Sequence, residues 1–223
     1  MANRAYLYSL SNRPASYSDR PETISGLSEW PYGIPFSYRV LMSGDPRLCA
    51  SLVSEGFEDD PPEQPTKLYA ISSEFDAGHA RLTKLIAAIR AVSDATGLAA
   101  ALDETERFLQ EHRDGFLLLE TIELDSMMEA SAAGLKACVE GEIEHCRAAG
   151  AAIDALPDNP ADAGAWLLKA AAEKSDEPFS GLVLTDDFDN TRDDKTDNPL
   201  GVSWWTDVLY FGLWNRAEFE ANK

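Results

Sequence analysis

Basic residues are scarce in this chain. Nineteen lysines and arginines stand against 39 aspartates and glutamates in 223 residues, a net charge of −20. Such a surface repels phosphate backbones and anionic headgroups, which excludes nucleic acid and membrane as direct partners. Cysteine is also sparse: Cys49, Cys138 and Cys146 are an odd count with no close pair, which excludes a disulfide framework and fits buried thiols in a reducing compartment. Long apolar runs are absent. The opening MANRAYLYSL holds no stretch of signal-peptide length, and nothing approaches a membrane span, so a cytoplasmic location is expected. Histidine occurs only as His79, His112 and His145. There is no Gly-x-Ser-x-Gly elbow, and Gly134, Gly141 and Gly150 are isolated helix glycines that form no phosphate loop, so no cofactor-binding signature is present. Their spacing near eight suits close helix packing.

What remains is an ordinary globular composition, 44% hydrophobic and 9% aromatic, enough for one domain over residues 1–223. The clearest pattern is a helix from Met127 to Leu156. Met128, Ala132, Leu135, Val139, Ile143, Cys146, Ala149, Ile153 and Leu156 recur in steps of three and four, and proline is absent until Pro157. This helix is expected to be the scaffold.

In chain order, Ala5–Ser9 reads as a strand. Ser11–Pro35, rich in Ser, Pro and Gly, reads as a long surface loop anchored by Trp30 and Tyr32. Phe36–Met42 fits a helix led by Pro35, with a strand as the alternative. Asp45-Pro46 signals another helix, burying Leu48, Cys49, Leu52 and Val53 and ending at Gly56. Leu68–Ser72 is a strand, and Ser72 or Ser73 caps a helix from Phe75 to Val92. Leu98 to His112 forms the next helix, with His112 favourable at its end. Phe116–Leu119 is a third strand. A helix over 161–174 buries Trp166, Leu167 and Ala170, and a fourth strand runs through Gly181–Leu184. The stretch with Trp204, Trp205, Tyr210, Phe211 and Trp214 fits helix and strand equally. Together these predict an α+β fold, mainly helical, with three to five short strands and one long central helix.

Three features bear on chemistry. Glu142 and His145, three apart on a helix, point the same way, as in carboxylate-bridged metal sites; Asp76 and His79 repeat the spacing with a shorter acid. The competing reading is an ordinary helix-surface ion pair, with Asp76 serving a helix N-terminus. Residues 186–198 hold six aspartates. Asp187, Asp189, Thr191 and Asp193 have calcium-loop spacing, but Arg192 stands where glycine is required and Asn198 where a bidentate glutamate is required. A solvated acidic loop, or a docking surface for a basic protein, fits better. On that reading Asp186, Asp187, Asp189, Asp193 and Asp194 steer the partner, and Trp204 and Trp214 anchor it. Residues 113–223 carry 23 acidic and 9 basic side chains, −14 of the total, which concentrates the field there.

MANRAYLYS at the start, EWPYGIPFSYRVLMSGDP after the loop and WWTDVLYF near the end resemble an uncharacterised bacterial domain family. The resemblance brings no catalytic residue with it. Small, acidic and without a catalytic motif, such chains are similar in style to the immunity proteins of bacterial toxin systems.

Overall fold

A computed structural model describes residues 3–61, 63–93, 98–173, 179 and 212–223. Twelve elements are described: β1 (Arg4–Leu10), β2 (Ile24–Pro31), α1 (Phe36–Leu41), β3 (Arg47–Ala50), β4 (Tyr69–Glu74), α2 (Phe75–Val92), α3 (Leu98–Glu111), β5 (Phe116–Glu120), α4 (Ile122–Met128), α5 (Ala132–Asp154), α6 (Pro160–Glu173) and α7 (Arg216–Ala221). The fold is α+β. Five antiparallel strands form one sheet in the order β2-β1-β5-β4-β3.

The period-2 alternation of strands sends alternate side chains to opposite faces. Ala5 and Leu7 of β1, Ile71 of β4, and Leu117 and Leu119 of β5 join the main core, which is completed by apolar side chains of α1, α2, α3, α5 and α6. Tyr6, Tyr8, Leu10, Cys49, Ala70 and Leu118 point the other way, into a smaller core with Leu52. Strand β1 is therefore buried on both sides, which explains its nearly unbroken apolar run.

Helix α2 is the hub of the helical layer. It packs against α1, α3, α5 and α6 as well as β4 and β5. Two glycines set its closest approaches. A Cβ on Gly78 would lie 1.7 Å from the Leu41 carbonyl oxygen of α1, and a Cβ on Gly164 of α6 would lie 2.5 Å from the Ala88 carbonyl oxygen of α2. The longest described helix, α5, packs on α1, α2, α4, β3 and β4 and buries Leu135, Val139, Ile143, Cys146, Ala149 and Ile153.

The structure corrects several expectations. The helix predicted from Met127 is two helices. α4 ends at Met128, and Ser131 starts α5 by accepting the Gly134 N–H at 3.0 Å. Met128 is therefore not part of the buried stripe. Residues 11–35 are not all loop, because β2 pairs with β1. A bulge opposite Leu7/Tyr8 breaks the alternation of this Ser- and Gly-rich strand, so neither composition nor period betrays it. Trp30 is buried as expected, but Tyr32 is exposed. Residues 47–50 form β3 and not a helix. Leu48 reaches the main core and Cys49 the smaller one, and pairing with β4 outweighs the Asp-Pro start signal. Ser73 does not cap α2: its Oγ accepts the Asp45 N–H at 3.0 Å, and the cap position falls to Glu74. Trp166 is exposed beside the buried Leu167 and stacks edge-on against Phe179 at 5.2 Å. Of the three glycines with near-eight spacing, Gly150 meets Ser43 closely, Gly134 meets the Glu129 side chain of its own turn, and Gly141 meets nothing within 4 Å. The predicted strand over 181–184 lies outside the described residues.

Candidate functional site

Each of the two acid-histidine pairs is engaged with its own arginine. Glu142 projects from the edge of the buried stripe of α5 and is itself buried. Arg39 of α1 grips it as a fork, Nε to Oε1 at 2.6 Å and Nη2 to Oε2 at 3.0 Å. His145 Nδ1 lies 3.0 Å from Oε2, one turn further along the helix. Asp76, in the first turn of α2, is gripped in the same way by Arg113, at 2.6 and 2.5 Å. That guanidinium holds the Asp76 carboxyl below the usual carboxylate range. His79 stacks on Phe75, and its Nε2 lies 3.4 Å from Gln110 Nε2 on α3. Burial lowers the His79 pKa. The two pairs face different neighbours, α1 in one case and α3 with its trailing residues in the other, so the structure does not bring them together. Among the described residues no group of three His, Cys, Asp or Glu side chains is placed to hold a metal ion. His112 closes α3 with Nδ1 2.9 Å from the Phe108 carbonyl.

The Arg39–Glu142 fork ties α1 to α5. Removing one partner of a buried pair costs roughly 3–5 kcal/mol because the other charge is left uncompensated. Arg39 keeps 31% of its side chain exposed, and water screens part of that cost. Arg39→Ala is therefore expected to destabilise by about 2 kcal/mol in urea unfolding. The double variant Arg39→Ala/Glu142→Ala should recover part of the loss; strictly additive losses would show that the pair does not couple.

The second face of the sheet holds the polar cluster that the sequence reading missed. Glu120, the last residue of β5, shares that face with Leu118 and is wholly buried. Its Oε2 accepts the Ser51 hydroxyl at 2.8 Å and its Oε1 the Leu52 N–H at 2.7 Å, which fastens the chain after β3 to the sheet. Burial pushes its pKa up to about 7, against the two donors and the charge of Arg20. Arg20 is also buried, its guanidinium 4.3 Å from the Tyr17 ring centroid and 4.6 Å from that of Phe219. Phe219 is brought there by α7, whose Arg216 donates its N–H to the Pro21 carbonyl at 2.8 Å and its Nε to the Arg20 carbonyl at 3.1 Å. Burial and the nearby Glu120 raise the Tyr8 hydroxyl and push the Cys49 thiol up to about 12, so neither ionises near neutrality. Asp125 of α4 is pushed up to about 6 by burial, although Thr121 donates to it at 2.6 Å. The available signal is alternation: the apolar run Phe116–Leu119 stops one residue before the acid that continues the strand.

Asp186, Asp187, Asp189, Asp193, Asp194 and Trp204 lie outside the described residues, as does the choice between helix and strand for Trp204–Phe211. Trp214 is described and exposed, just ahead of α7. Among the described residues the three most exposed large apolar side chains are Met128 at 81%, Tyr32 at 71% and Met127 at 60%. All three cysteines are free thiols. No helix among the described residues is long and apolar enough to cross a membrane.

An acidic α+β domain with a helical layer on one sheet face and a buried polar cluster on the other is thus defined. Residues 11–167 match a family model described as Domain of unknown function (DUF7822), and the chain belongs to that family. The matched segment starts just after β1, although β1 sits between β2 and β5 in the sheet. No curated protein and no solved structure matches the chain.

Proposed function

We propose that this protein is a non-enzymatic, cytoplasmic protein-binding module that takes a basic protein partner, in the manner of bacterial immunity proteins that neutralise a toxin. The observation that carries this reading is the way the charge is disposed. Among the described residues many arginines are paired within the fold: Arg13 and Arg47 on Asp45, Arg39 on Glu142, Arg81 on Asp154, Arg90 on Asp103 and Glu106, Arg113 on Asp76, Arg147 on Glu144 and Arg216 on Glu22. The sequence as a whole carries a surplus of −20, a field that steers a basic protein towards it and repels acidic competitors. The three free thiols agree with a reducing compartment.

The test is affinity capture from the native host with the full chain as bait. A basic protein should be recovered at low ionic strength, should rebind when both proteins are purified, and should bind progressively less as salt rises. Recovery of no basic partner at either low or moderate salt overturns the reading.

A second reading rests on Glu120. Its carboxyl, the Ser51 hydroxyl and the buried Arg20 are convergent polar groups on the second face of the sheet, of the kind that orient a bound small molecule. A metabolite whose stabilisation of the wild type against heat is lost in Glu120→Gln would favour it. A broad screen that raises the melting temperature with no compound would reject it.

A further inference from the structure

Helix α7 shows what the loop between β1 and β2 can hold. Arg216 donates its backbone N–H to the Pro21 carbonyl at 2.8 Å and its Nε to the Arg20 carbonyl at 3.1 Å, and its Nη1 pairs with Glu22. Phe219 follows three residues later on the same side of the helix. Its ring meets the Tyr17 ring edge-on at 5.7 Å, and the Arg20 guanidinium lies 4.6 Å from its centroid. Residues 17–22 thus offer two carbonyls and a carboxylate to an arginine, and a tyrosine ring and a cation to an aromatic ring. Arg20 is buried and its Nε meets no hydrogen-bond acceptor, so it serves the rings of Tyr17 and Phe219 as a cation. α7 itself is lightly held. None of its residues is buried, and Leu213, ahead of it, is the last apolar side chain that packs against a core. The family match includes the loop and ends at residue 167, before α7.

We infer that residues 17–22 form a recognition surface for an Arg-x-x-aromatic helical turn of a basic partner protein, and that α7 occupies this surface in cis until the partner displaces it. This rests on the reading of the chain as an acidic protein-binding module and names a contact through which the partner is selected. The segment already seated there displays the recognised pattern, Arg216 and Phe219. Every group that faces Arg216 is an acceptor, and Glu22 is exposed, so an incoming arginine can reach it. α7 also carries Glu218 and Glu220 beside its turn, in a chain of net charge −20. A partner turn flanked by lysines gains an attraction that α7 lacks, which offsets the advantage that a tethered segment draws from its high effective concentration. Exchange of one aromatic turn for another keeps Arg20 covered, so no bare buried cation has to form on the way to the complex.

The probe is a peptide of residues 213–223 carrying Glu220→Lys, which makes the turn basic. A control peptide carries Arg216→Ala and Phe219→Ala as well. Both are titrated into the isotope-labelled full chain by NMR and followed at the amides of Tyr17 and Glu22. In a chain opened by Arg216→Ala/Phe219→Ala, the basic peptide should bind about tenfold more tightly than in the wild type, whose own turn competes. The control peptide, without ring and guanidinium, should bind the opened chain about tenfold more weakly than the basic one. The wild type supplies an arm that needs no substitution: saturating basic peptide should move the Arg216 amide signal, because its bond to Pro21 is lost. Equal affinity of the two peptides for the opened chain overturns the inference. So does equal affinity of the basic peptide for both chains, or an Arg216 amide that stays in place at saturation. The acidic module is judged separately, by recovery of a basic protein in the capture experiment, so the two readings can fail independently.

Discussion

Gly78→Ala is expected to lower the melting temperature by roughly 6–12 °C, which corresponds to about 3 kcal/mol for a chain of this length. The added methyl would sit 1.7 Å from the Leu41 oxygen, 2.7 Å from its carbonyl carbon and 3.1 Å from its Cα. All three are backbone atoms, so no side-chain rotation relieves the overlap, and α1 and α2 must separate. Separation would also loosen Arg39, which α1 carries to Glu142. Gly141→Ala is the control: a Cβ there meets nothing within 4 Å on α5, so better helix propensity should add up to about 1 kcal/mol. Differential scanning calorimetry of both variants is the measurement. A Gly78→Ala protein that melts like the wild type would mean that the two helices do not cross so closely.

The second large effect depends on pH. Glu120 has an ordinary pKa of 4.5 in the unfolded chain and about 7 in the folded one. Below pH 4.5 both states carry the proton, and the stabilisation that comes from the neutral buried acid is fully present. Between these values the folded chain holds a proton that the unfolded chain has released, so stability falls as pH rises through the window and levels off above about pH 7. The total for this group is about 3 kcal/mol. Glu120→Gln stays neutral throughout. Its amide oxygen can accept the Leu52 N–H, and its amide nitrogen can donate to the Ser51 hydroxyl. The variant should match the wild type near pH 4.5 and exceed it by about 2–3 kcal/mol at pH 7.5. Asp125 titrates in both proteins, so the difference between them is governed by Glu120. Chemical denaturation across that range would reject the idea if the gap between the two proteins stayed constant.

These effects sit at opposite faces of one sheet and bear on function in different ways. The helical face is tied by close crossings and arginine forks, which consume the positive charge and leave carboxylates outward. The second face keeps a carboxyl neutral by excluding water, and α7 closes it with Phe219 against Arg20. β1, buried on both sides, is the strand shared by both faces.

Helices were legible where spacing was regular and one face was buried. α2, α3 and the body of α5 follow from Leu82, Leu85, Ile86 and Ile89, from Leu98, Leu102 and Leu109, and from Leu135, Val139, Ile143 and Cys146, because a 3.6-residue period is a local property. β1, β4 and β5 were legible as short apolar runs. β2 was not, because its Ser- and Gly-rich residues become a strand only when β1 supplies hydrogen bonds and a bulge resets the alternation. β3 was not, because Asp45-Pro46 locally favours a helix and only pairing with β4 overrules it. The break at Ser131 was hidden because methionine and alanine have high helix propensity on either side of it. Glu142 and His145 were singled out for a spacing that the structure uses to meet an arginine, whereas Glu120 looked like an ordinary strand-end acid.

Residue counts determined the charge surplus and the absence of a disulfide framework, and short-range periodicity determined the α+β class. Only the tertiary structure decided which acids are buried and which arginines they meet. Distant residues such as Tyr6 and Glu120 become neighbours through strand pairing, and a carboxyl acquires a near-neutral pKa through the water that its surroundings exclude. Neither quantity is carried by any one stretch of the chain.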